Sequence, residues 1–380
     1  MRLLYVTPMK FGEDIHAIGE LSTASALAER GWQVTFLAPS TEHAEQVVSE
    51  YGHQYIGVKT LKMPGLNSIS FERSVARELP QLIDDDRFDV IMSEWRGAGG
   101  TARAVERCRR NGTDIRWVME DRSPPAVNDL WGRLQWLQYR RAWKRTAKRA
   151  DGISVLVPAL EEYVRRHYDA SMPMVHCPSG VDIERFHPSS TRSDGSLRLL
   201  YHGSLYPERN VERLIEVGDL LAHRGEEFTM RIFGMGPSLR TFESAASSRT
   251  WLEVLGTVPR EDVTRLVREC HIGLIPWPDL AAWQVGSPLK LFEYAASGLT
   301  TVATDVRSHL EVAPREWLSV VSNANLVEEM ADAITQMWHR SDFPALSAAA
   351  RRDVEQEFTW MHATEQVHRL LLSLSAHTDG

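Results

Sequence analysis

The sequence is poor in the features that mark secreted, fibrous and membrane-spanning proteins. It has three cysteines in 380 residues, Cys108, Cys177 and Cys270, so neither a disulfide framework nor a cysteine-based metal site is expected. Its glycines and prolines are scattered, which excludes a collagen-like or low-complexity chain. No apolar run approaches the roughly 20 residues that cross a bilayer, and the first residues lack the apolar core of a signal peptide. We therefore expect a reducing, cytoplasmic environment.

Charge and histidine spacing exclude further classes. The chain has 43 Lys and Arg against 51 Asp and Glu, a formal charge of −8. An acidic balance argues against a dedicated nucleic-acid binder, whose domain is usually basic. The 14 histidines show no H-E-x-x-H or other short ligand spacing, so no metal is expected from them.

Strand-length apolar runs alternate with segments of helical period along the chain. A strand is predicted at 3–7 and a helix at 17–30, and this alternation predicts parallel sheets covered by helices. It breaks at the polar stretch 188–196, a predicted linker, and restarts with a strand at 197–202. The predicted fold class is α/β, with two doubly wound Rossmann-like domains that face a central cleft, where such folds bind ligands.

The most informative segment is 286–305. Pro288 suits the first turn of a helix, and the N–H groups that follow, from Leu289 onward, form an anion site. Lys290 adds a positive charge, and Glu293 lies on the same helical face, where it can accept hydrogen bonds from ligand hydroxyls. This combination suits a sugar nucleotide, although the spacing alone fits an exposed surface ion pair equally well.

The same segment resembles the donor-binding stretch of the GT-B glycosyltransferases, in particular the retaining glycosyltransferase family four, "P-x-K-x-x-E-Y-x-A-x-G-x-P-V-V-A-T". Residues 175–188 resemble its "N-G-V-D-x-x-x-F-x-P" hinge. Gly203 followed by Arg209 resembles its "G-R-L … K-G" loop, and Gly234 with Gly236 its "G-x-G-P" turn. The motifs occur in the family's order over nearly the whole chain.

The resemblance implies a GT-B architecture with an acceptor-binding domain at 1–178, a sugar-nucleotide domain at 179–357, and a last helix, about 358–380, that packs back on the first domain. It implies a retaining, metal-independent transfer from a nucleotide sugar to a hydroxyl, with lipid-linked or cell-envelope glycans as compatible acceptors and no cofactor. Glu293 is expected at the nucleotide ribose and Lys290 and Arg209 at the diphosphate. The remaining donor-side positions are Gly203, Gly234, Gly236, Pro288 and Leu289.

The sequence also departs from the family pattern. Val285 stands where many members have a second glutamate, and Ser204 replaces the loop arginine. Arg209 replaces a lysine but can hold a diphosphate bidentately. Two alternatives therefore stay open, a sugar-nucleotide 2-epimerase of GT-B architecture and a non-catalytic sugar-nucleotide-binding subunit. Turnover of donor alone would favour the epimerase, and binding without turnover would favour the subunit.

Candidates for the acceptor side lie in the N-terminal half. Glu120 and Asp121 end a predicted strand where family members place a His-Asp pair, and a carboxylate there could accept the acceptor's proton or stabilise an oxocarbenium-like charge. They could equally cap the next turn or pair with a neighbouring arginine. Gly12 and His16 mark the loop that aligns weakly with the family's paired glycines, and Gly99 opens a helix that could face an acceptor anion.

Two other patterns carry less weight. Residues 84–86 contain the D-x-D metal motif of GT-A enzymes, but they lie in a predicted polar loop. A site with oxygen ligands needs more convergent carboxylates than such a run supplies. Residues 97–102 fit G-x-G-x-x-A, but after about the fourth strand rather than the first, which disfavours a dinucleotide site.

The stretch 130–150 holds seven basic residues and no acidic one, with aromatic residues on the opposite helical face. It predicts either a solvated surface helix or a docking face for anionic lipid or a phosphate-bearing acceptor. The second interpretation predicts peripheral contact with the inner face of a membrane through Arg140, Lys144 and Lys148.

Overall fold

The structure, a computed structural model, describes residues 1–14, 17–61, 67–86, 88–122, 124–125, 130–189 and 195–376. The chain divides into two compact units. Unit 1 combines Met1–Ser179 with Trp360–Gly380, and unit 2 is Gly180–Thr359. Each unit is built on its own parallel sheet, so the predicted α/β fold with two doubly wound sheets is confirmed.

The sheet of unit 1 has seven parallel strands in the order β3-β2-β1-β4-β5-β6-β7, which places the topological switch point between β1 and β4. Its strands are β1 (Arg2–Val6), β2 (Gln33–Pro39), β3 (Gln54–Val58), β4 (Val90–Glu94), β5 (Arg116–Asp121), β6 (Gly152–Val155) and β7 (Met174–His176). Its helices are α1 (Ile18–Glu29), α2 (Ala44–Glu50), α3 (Asn67–Asp86), α4 (Ala98–Arg110), α5 (Leu130–Thr146), α6 (Pro158–His167) and, from the end of the chain, α15 (Trp360–Ser375).

Helix α15 is an integral part of unit 1. Its side chains Val367 and Leu371 are buried in the same core as β1 and β2. The Trp32 indole donates a hydrogen bond to Nδ1 of His368 over 3.1 Å, and Arg30 pairs with Glu365 at 2.7 Å. Helix α15 therefore packs against the rest of unit 1.

The sheet of unit 2 has six parallel strands in the order β10-β9-β8-β11-β12-β13, with its switch point between β8 and β11. Its strands are β8 (Leu197–Ser204), β9 (Phe228–Met235), β10 (Leu252–Gly256), β11 (Ile272–Ile275), β12 (Thr300–Thr304) and β13 (Leu318–Val321). Its helices are α7 (Arg213–His223), α8 (Leu239–Ala246), α9 (Arg260–Arg268), α10 (Ala281–Gln284), α11 (Leu289–Ala296), α12 (Arg307–Leu310), α13 (Leu326–Trp338) and α14 (Phe343–Glu357).

Helix α11 is fixed closely against the sheet of unit 2. Leu291, Tyr294 and Ala295 are fully buried, and Gly273 of β11 allows the approach, since a Cβ there would lie 2.1 Å from the Tyr294 ring. Burial of one stripe leaves Lys290 and Glu293 half-buried at its edge.

Some local predictions need correction. Residues 84–86 form the end of helix α3 and not a polar loop. This helix is 20 residues long and continues through Pro80. Within the described residues, no helix is long and apolar enough to cross a membrane, and the three cysteines are buried free thiols.

Candidate functional site

Two glycine-rich turns meet at the carboxyl edge of the unit 2 sheet. Gly203 of β8 pairs in register with Gly234 of β9. A Cβ at Gly234 would lie 1.8 Å from the Gly203 carbonyl oxygen, and one at Gly236 would lie 2.2 Å from that of Leu205. Both glycines also have positive φ, 141° and 148°. Only glycine fits these positions, and the predicted donor-side glycines therefore lie together.

Lys290 lies directly over this turn. A Cβ at Gly203 would come within 2.8 Å of the Lys290 Cε, and Nζ lies 5.8 Å from the centroid of the Tyr201 ring. Burial and the nearby charge of Arg209 lower the pKa of Lys290 to about 7, while Glu293 acts in the opposite direction. The ammonium is thus held where water no longer fully solvates it.

Arg209 ends a short 3-10 turn, Pro207–Arg209, that follows β8. Burial lowers the pKa of its guanidinium, and the neighbouring Tyr201 side chain acts in the opposite direction. Neither Arg209 nor Lys290 forms an ion pair with any residue in the part of the chain that the structure describes. Two half-buried basic side chains that form no ion pair with a described residue therefore share one edge of the sheet.

Glu293 lies one turn after Lys290 on α11. Its Oε2 atom is 3.3 Å from Nε2 of His202, and both side chains are largely buried, at 14% and 9% exposure. The His202 ring stacks on Phe233 and contacts Tyr294 edge-on. Sequence reasoning assigned no role to His202, although a polar residue at the carboxyl end of a parallel strand is a signal for a site.

The segment before α11 differs from the expectation by one residue. Pro288 is the N-cap of α11, and Leu289 is its first helical residue. Val285 ends the short helix α10 and is half-buried. No carboxylate is present at this position.

In unit 1, Glu120 lies at the carboxyl end of β5 and is 1% exposed. The Tyr5 hydroxyl donates a hydrogen bond to one carboxylate oxygen, and Arg122 donates to the other over 3.1 Å. Burial, followed by the Glu120 charge, raises the pKa of Tyr5. Both Glu120 oxygens have partners, and its expected catalytic role stays a prediction.

Another buried carboxylate in unit 1 has no such partners. Glu20 of α1 is 1% exposed, and neither of its carboxylate oxygens has a hydrogen-bond partner among the described residues. Burial and the charge of Glu120 raise its pKa to about 8. Sequence reasoning missed Glu20, because an acidic residue in the first turn of a helix is the ordinary choice.

Asp121 anchors helix α5. Its carboxylate accepts hydrogen bonds from the Tyr139 hydroxyl at 2.6 Å and the Trp143 indole at 2.8 Å, and it is fully buried. This environment supplies a structural role for Asp121, and its expected catalytic role stays a prediction that the geometry does not favour.

The expected acceptor-side residues do not form one group in the described structure. Gly12 has a φ of 85° and lies against His43, while His16 falls outside the described residues. Gly99 packs against α3, where a Cβ would lie 2.4 Å from a Glu72 carboxylate oxygen. That contact gives Gly99 a packing role and lends no support to an anion site there.

Two further observations concern metal binding and cavities. Among the described residues, no three His, Cys, Asp or Glu side chains form a group that could hold a metal ion. A cavity of about 370 Å³ lies on the amino-terminal side of β11 in unit 2 and shares no residue with the donor group. It is lined by Pro188, Ser189, His271, Trp338, Phe343, Pro344 and Ser347.

Solved structures share this fold over almost their whole length. Sucrose-phosphate synthase from Thermosynechococcus elongatus aligns with a TM-score of 0.74 at 15% identity, covering 99% of each chain. HepE from Anabaena in complex with UDP gives 0.76 at 14%, covering 98% of this chain and 100% of that one. The lipopolysaccharide outer core galactosyltransferase WaaB gives 0.68 at 11%, covering 98% and 99%. At these identities the likeness shows the fold. No curated protein matches the chain in sequence.

Family comparisons supply the activity. Residues 21–185 match "Glycosyltransferase Family 4" and residues 196–340 match "Glycosyl transferases group 1". Together with the two Rossmann-like sheets, these matches define a glycosyltransferase of the GT-B class. The match over residues 21–185 confirms the resemblance to glycosyltransferase family four that the motifs indicated.

Proposed function

We propose that unit 2 binds a nucleoside diphosphate sugar, with the diphosphate on Lys290 and Arg209 and the ribose hydroxyls on Glu293. The observation that carries this proposal is the pair of half-buried basic side chains, neither of which forms an ion pair with a described residue. Desolvated like charges destabilise each other unless an anion joins them. The HepE structures hold UDP and UDP-glucose, and this makes a uridine nucleotide the first donor to test.

A thermal-shift panel of UDP-, GDP- and ADP-sugars tests the donor site. A ligand at 100 times its dissociation constant stabilises the fold by about 2.7 kcal/mol, which corresponds to a shift of about 5 to 10 °C for a domain of this size. Glu293→Gln removes one charge-assisted acceptor and should weaken binding about tenfold or more. The matched control is Glu243→Gln on the exposed face of α8. Equal binding by wild type and Glu293→Gln would refute the ribose assignment.

We further propose that transfer proceeds with retention of anomeric configuration and without a metal ion. Lys290, Arg209 and the amides that open α11 supply the positive charge that a metal would otherwise bring to the diphosphate. The anomer of the first product, followed by NMR, tests retention. Activity that EDTA abolishes and Mn²⁺ restores would refute metal independence.

For the acceptor, we propose a membrane-associated or cell-envelope glycan, presented where helix α5 meets an anionic membrane surface. Two leucines, Leu134 at 52% and Leu137 at 44%, are exposed on α5. Five exposed basic residues of α5 and the turn after it form no ion pair with the described residues: Arg133, Arg140, Arg141, Lys144 and, beyond the end of α5, Lys148. WaaB, one of the similar structures, is named as a lipopolysaccharide galactosyltransferase.

The opposite face of α5 is rigidly packed. Tyr139 and Trp143 are fully buried and bound to Asp121, so the basic face is presented on a fixed scaffold. Each basic residue near an anionic surface contributes about 1 kcal/mol, and the leucines add an apolar term of about 25 cal/mol per Å² buried. We expect weak, reversible and salt-sensitive binding.

Co-sedimentation with vesicles tests this contact. Wild type should bind vesicles that contain acidic lipid and not neutral ones, while Arg140→Glu, Lys144→Glu and Lys148→Glu combined should abolish binding. The matched control reverses three exposed basic residues elsewhere, Lys59, Arg166 and Arg240. Equal loss in both triple variants would show a net-charge effect, and binding that survives the α5 reversal would refute the surface.

A further inference from the structure

The short helix α10 packs against the 3-10 turn that carries Arg209. The guanidinium carbon of Arg209 lies 4.6 Å from the ring centroid of Trp283 and 5.7 Å from that of Trp277. The two indole rings are themselves 4.9 Å apart at an angle of 32°. The Trp283 indole also donates a hydrogen bond to the Glu208 carbonyl over 3.2 Å. Trp283 therefore contacts both the side chain of Arg209 and the backbone of its turn.

Helix α10 is fixed from its other side. The Ser308 hydroxyl donates to the Trp283 carbonyl over 3.1 Å. The Gln284 side chain accepts from the Arg307 amide at 2.7 Å and donates to Asp279 at 2.5 Å. Four residues of helix would not hold a position alone, so these bonds to α12 and to Asp279 fix the backbone that carries Trp283.

Trp277 forms the buried base beneath this ring. It is 5% exposed, its carbonyl accepts from the Thr304 hydroxyl at 2.6 Å, and its ring lies against His309 at 5.1 Å. Trp283 is half-buried. The Trp277 indole belongs to the core, whereas the Trp283 indole can be substituted with a smaller loss of core packing.

An arginine held by aromatic faces differs from one held by a carboxylate. A carboxylate would occupy the N–H edge of the guanidinium, the edge that binds a diphosphate. Indole faces attract the cation through the ring quadrupole and leave that edge available. Arg209 forms no ion pair with a described residue, and the two tryptophans with Tyr201 supply its surroundings. Because the aromatic contacts already order the long Arg209 side chain, less rotamer freedom is lost when the diphosphate binds.

We propose that Trp283, supported by Trp277, is a positioning residue that orients Arg209 for the diphosphate of the donor. This inference rests on the proposed donor site.

The test compares Trp283→Leu, which removes the aromatic face, with Trp283→Phe, which keeps a face and loses the N–H. Titration with UDP, and with inorganic pyrophosphate as a base-independent probe, should show Trp283→Leu binding about 3- to 10-fold more weakly, with Trp283→Phe in between. In an Arg209→Ala background the same substitution should have no further effect. Trp251→Leu, a half-buried tryptophan on Phe228, is the matched control and should bind as wild type.

An additive loss in the double variant would overturn the positioning role while leaving the donor site intact. A crystal structure of ligand-free Trp283→Leu gives an independent readout, because Arg209 should there adopt other rotamers. An unmoved Arg209 would overturn the inference even if the donor proves correct. Absence of diphosphate binding by the wild type would instead refute the proposed donor site.

Discussion

Donor binding should depend on pH through Lys290. Burial and Arg209 lower the pKa of Lys290 to about 7, so in the free protein it is charged below pH 7 and neutral above. A bound diphosphate favours the charged form and raises that pKa again. Between pH 6 and pH 8 the charged fraction falls about tenfold, and the affinity should fall by about the same factor, about 1.4 kcal/mol.

Calorimetry with UDP-glucose is the appropriate assay, since its diphosphate carries no group that titrates in this range. Titrations in buffers of different ionisation enthalpy should show uptake of about half a proton at pH 7 and close to one at pH 8. Lys290→Arg keeps the charge at every pH and should remove the dependence. His202→Gln controls for the other titratable group beside Glu293. Affinity that stays constant, or rises with pH, would refute the reasoning.

Three stability predictions follow from buried groups. Gly234→Ala places a Cβ 1.8 Å from a carbonyl oxygen at a φ of 141°, so urea unfolding should show a loss of about 3 kcal/mol or more; an unchanged midpoint would contradict the turn geometry. Asp121→Ala leaves the Tyr139 and Trp143 donors unpaired and should lower the free energy of unfolding by about 2 to 5 kcal/mol. Asp121→Asn keeps an acceptor oxygen and should lose less stability. Folding raises the pKa of Glu20 to about 8, so at pH 7 the folded protein must take up a proton that the unfolded chain does not bind. Glu20→Gln removes this cost and should stabilise the protein by about 1 to 3 kcal/mol at pH 7 but not at pH 4. Equal gains at both pH values would contradict this.

The fold could be predicted where the chemistry is local. Strands buried on both faces, such as β1 and β11, are mainly apolar runs because helices cover both sides of a parallel sheet. Strand β3 is an edge strand with a mixed burial pattern, and its signal was missed. Helix α3 contains Pro80, which argues against a helix in the sequence, yet packing against α4 stabilises it.

The donor site was predictable only in part for a related reason. Lys290 and Glu293 lie on one turn of α11, so their spacing carries the information. The contact between Trp283 and Glu208 joins residues 75 positions apart, and that between His202 and Tyr294 joins residues 92 apart. Such contacts depend on which strand ends meet at the sheet edge, and no local sequence pattern predicts them.

A crystal structure of the protein with a bound nucleoside diphosphate sugar tests the central claim most directly. We predict the diphosphate within hydrogen-bonding distance of Lys290 Nζ and the Arg209 guanidinium, with the ribose hydroxyls on Glu293. Nucleotide density elsewhere, for example in the cavity beside His271 and Trp338, with Lys290 and Arg209 left without an anion, would contradict the account.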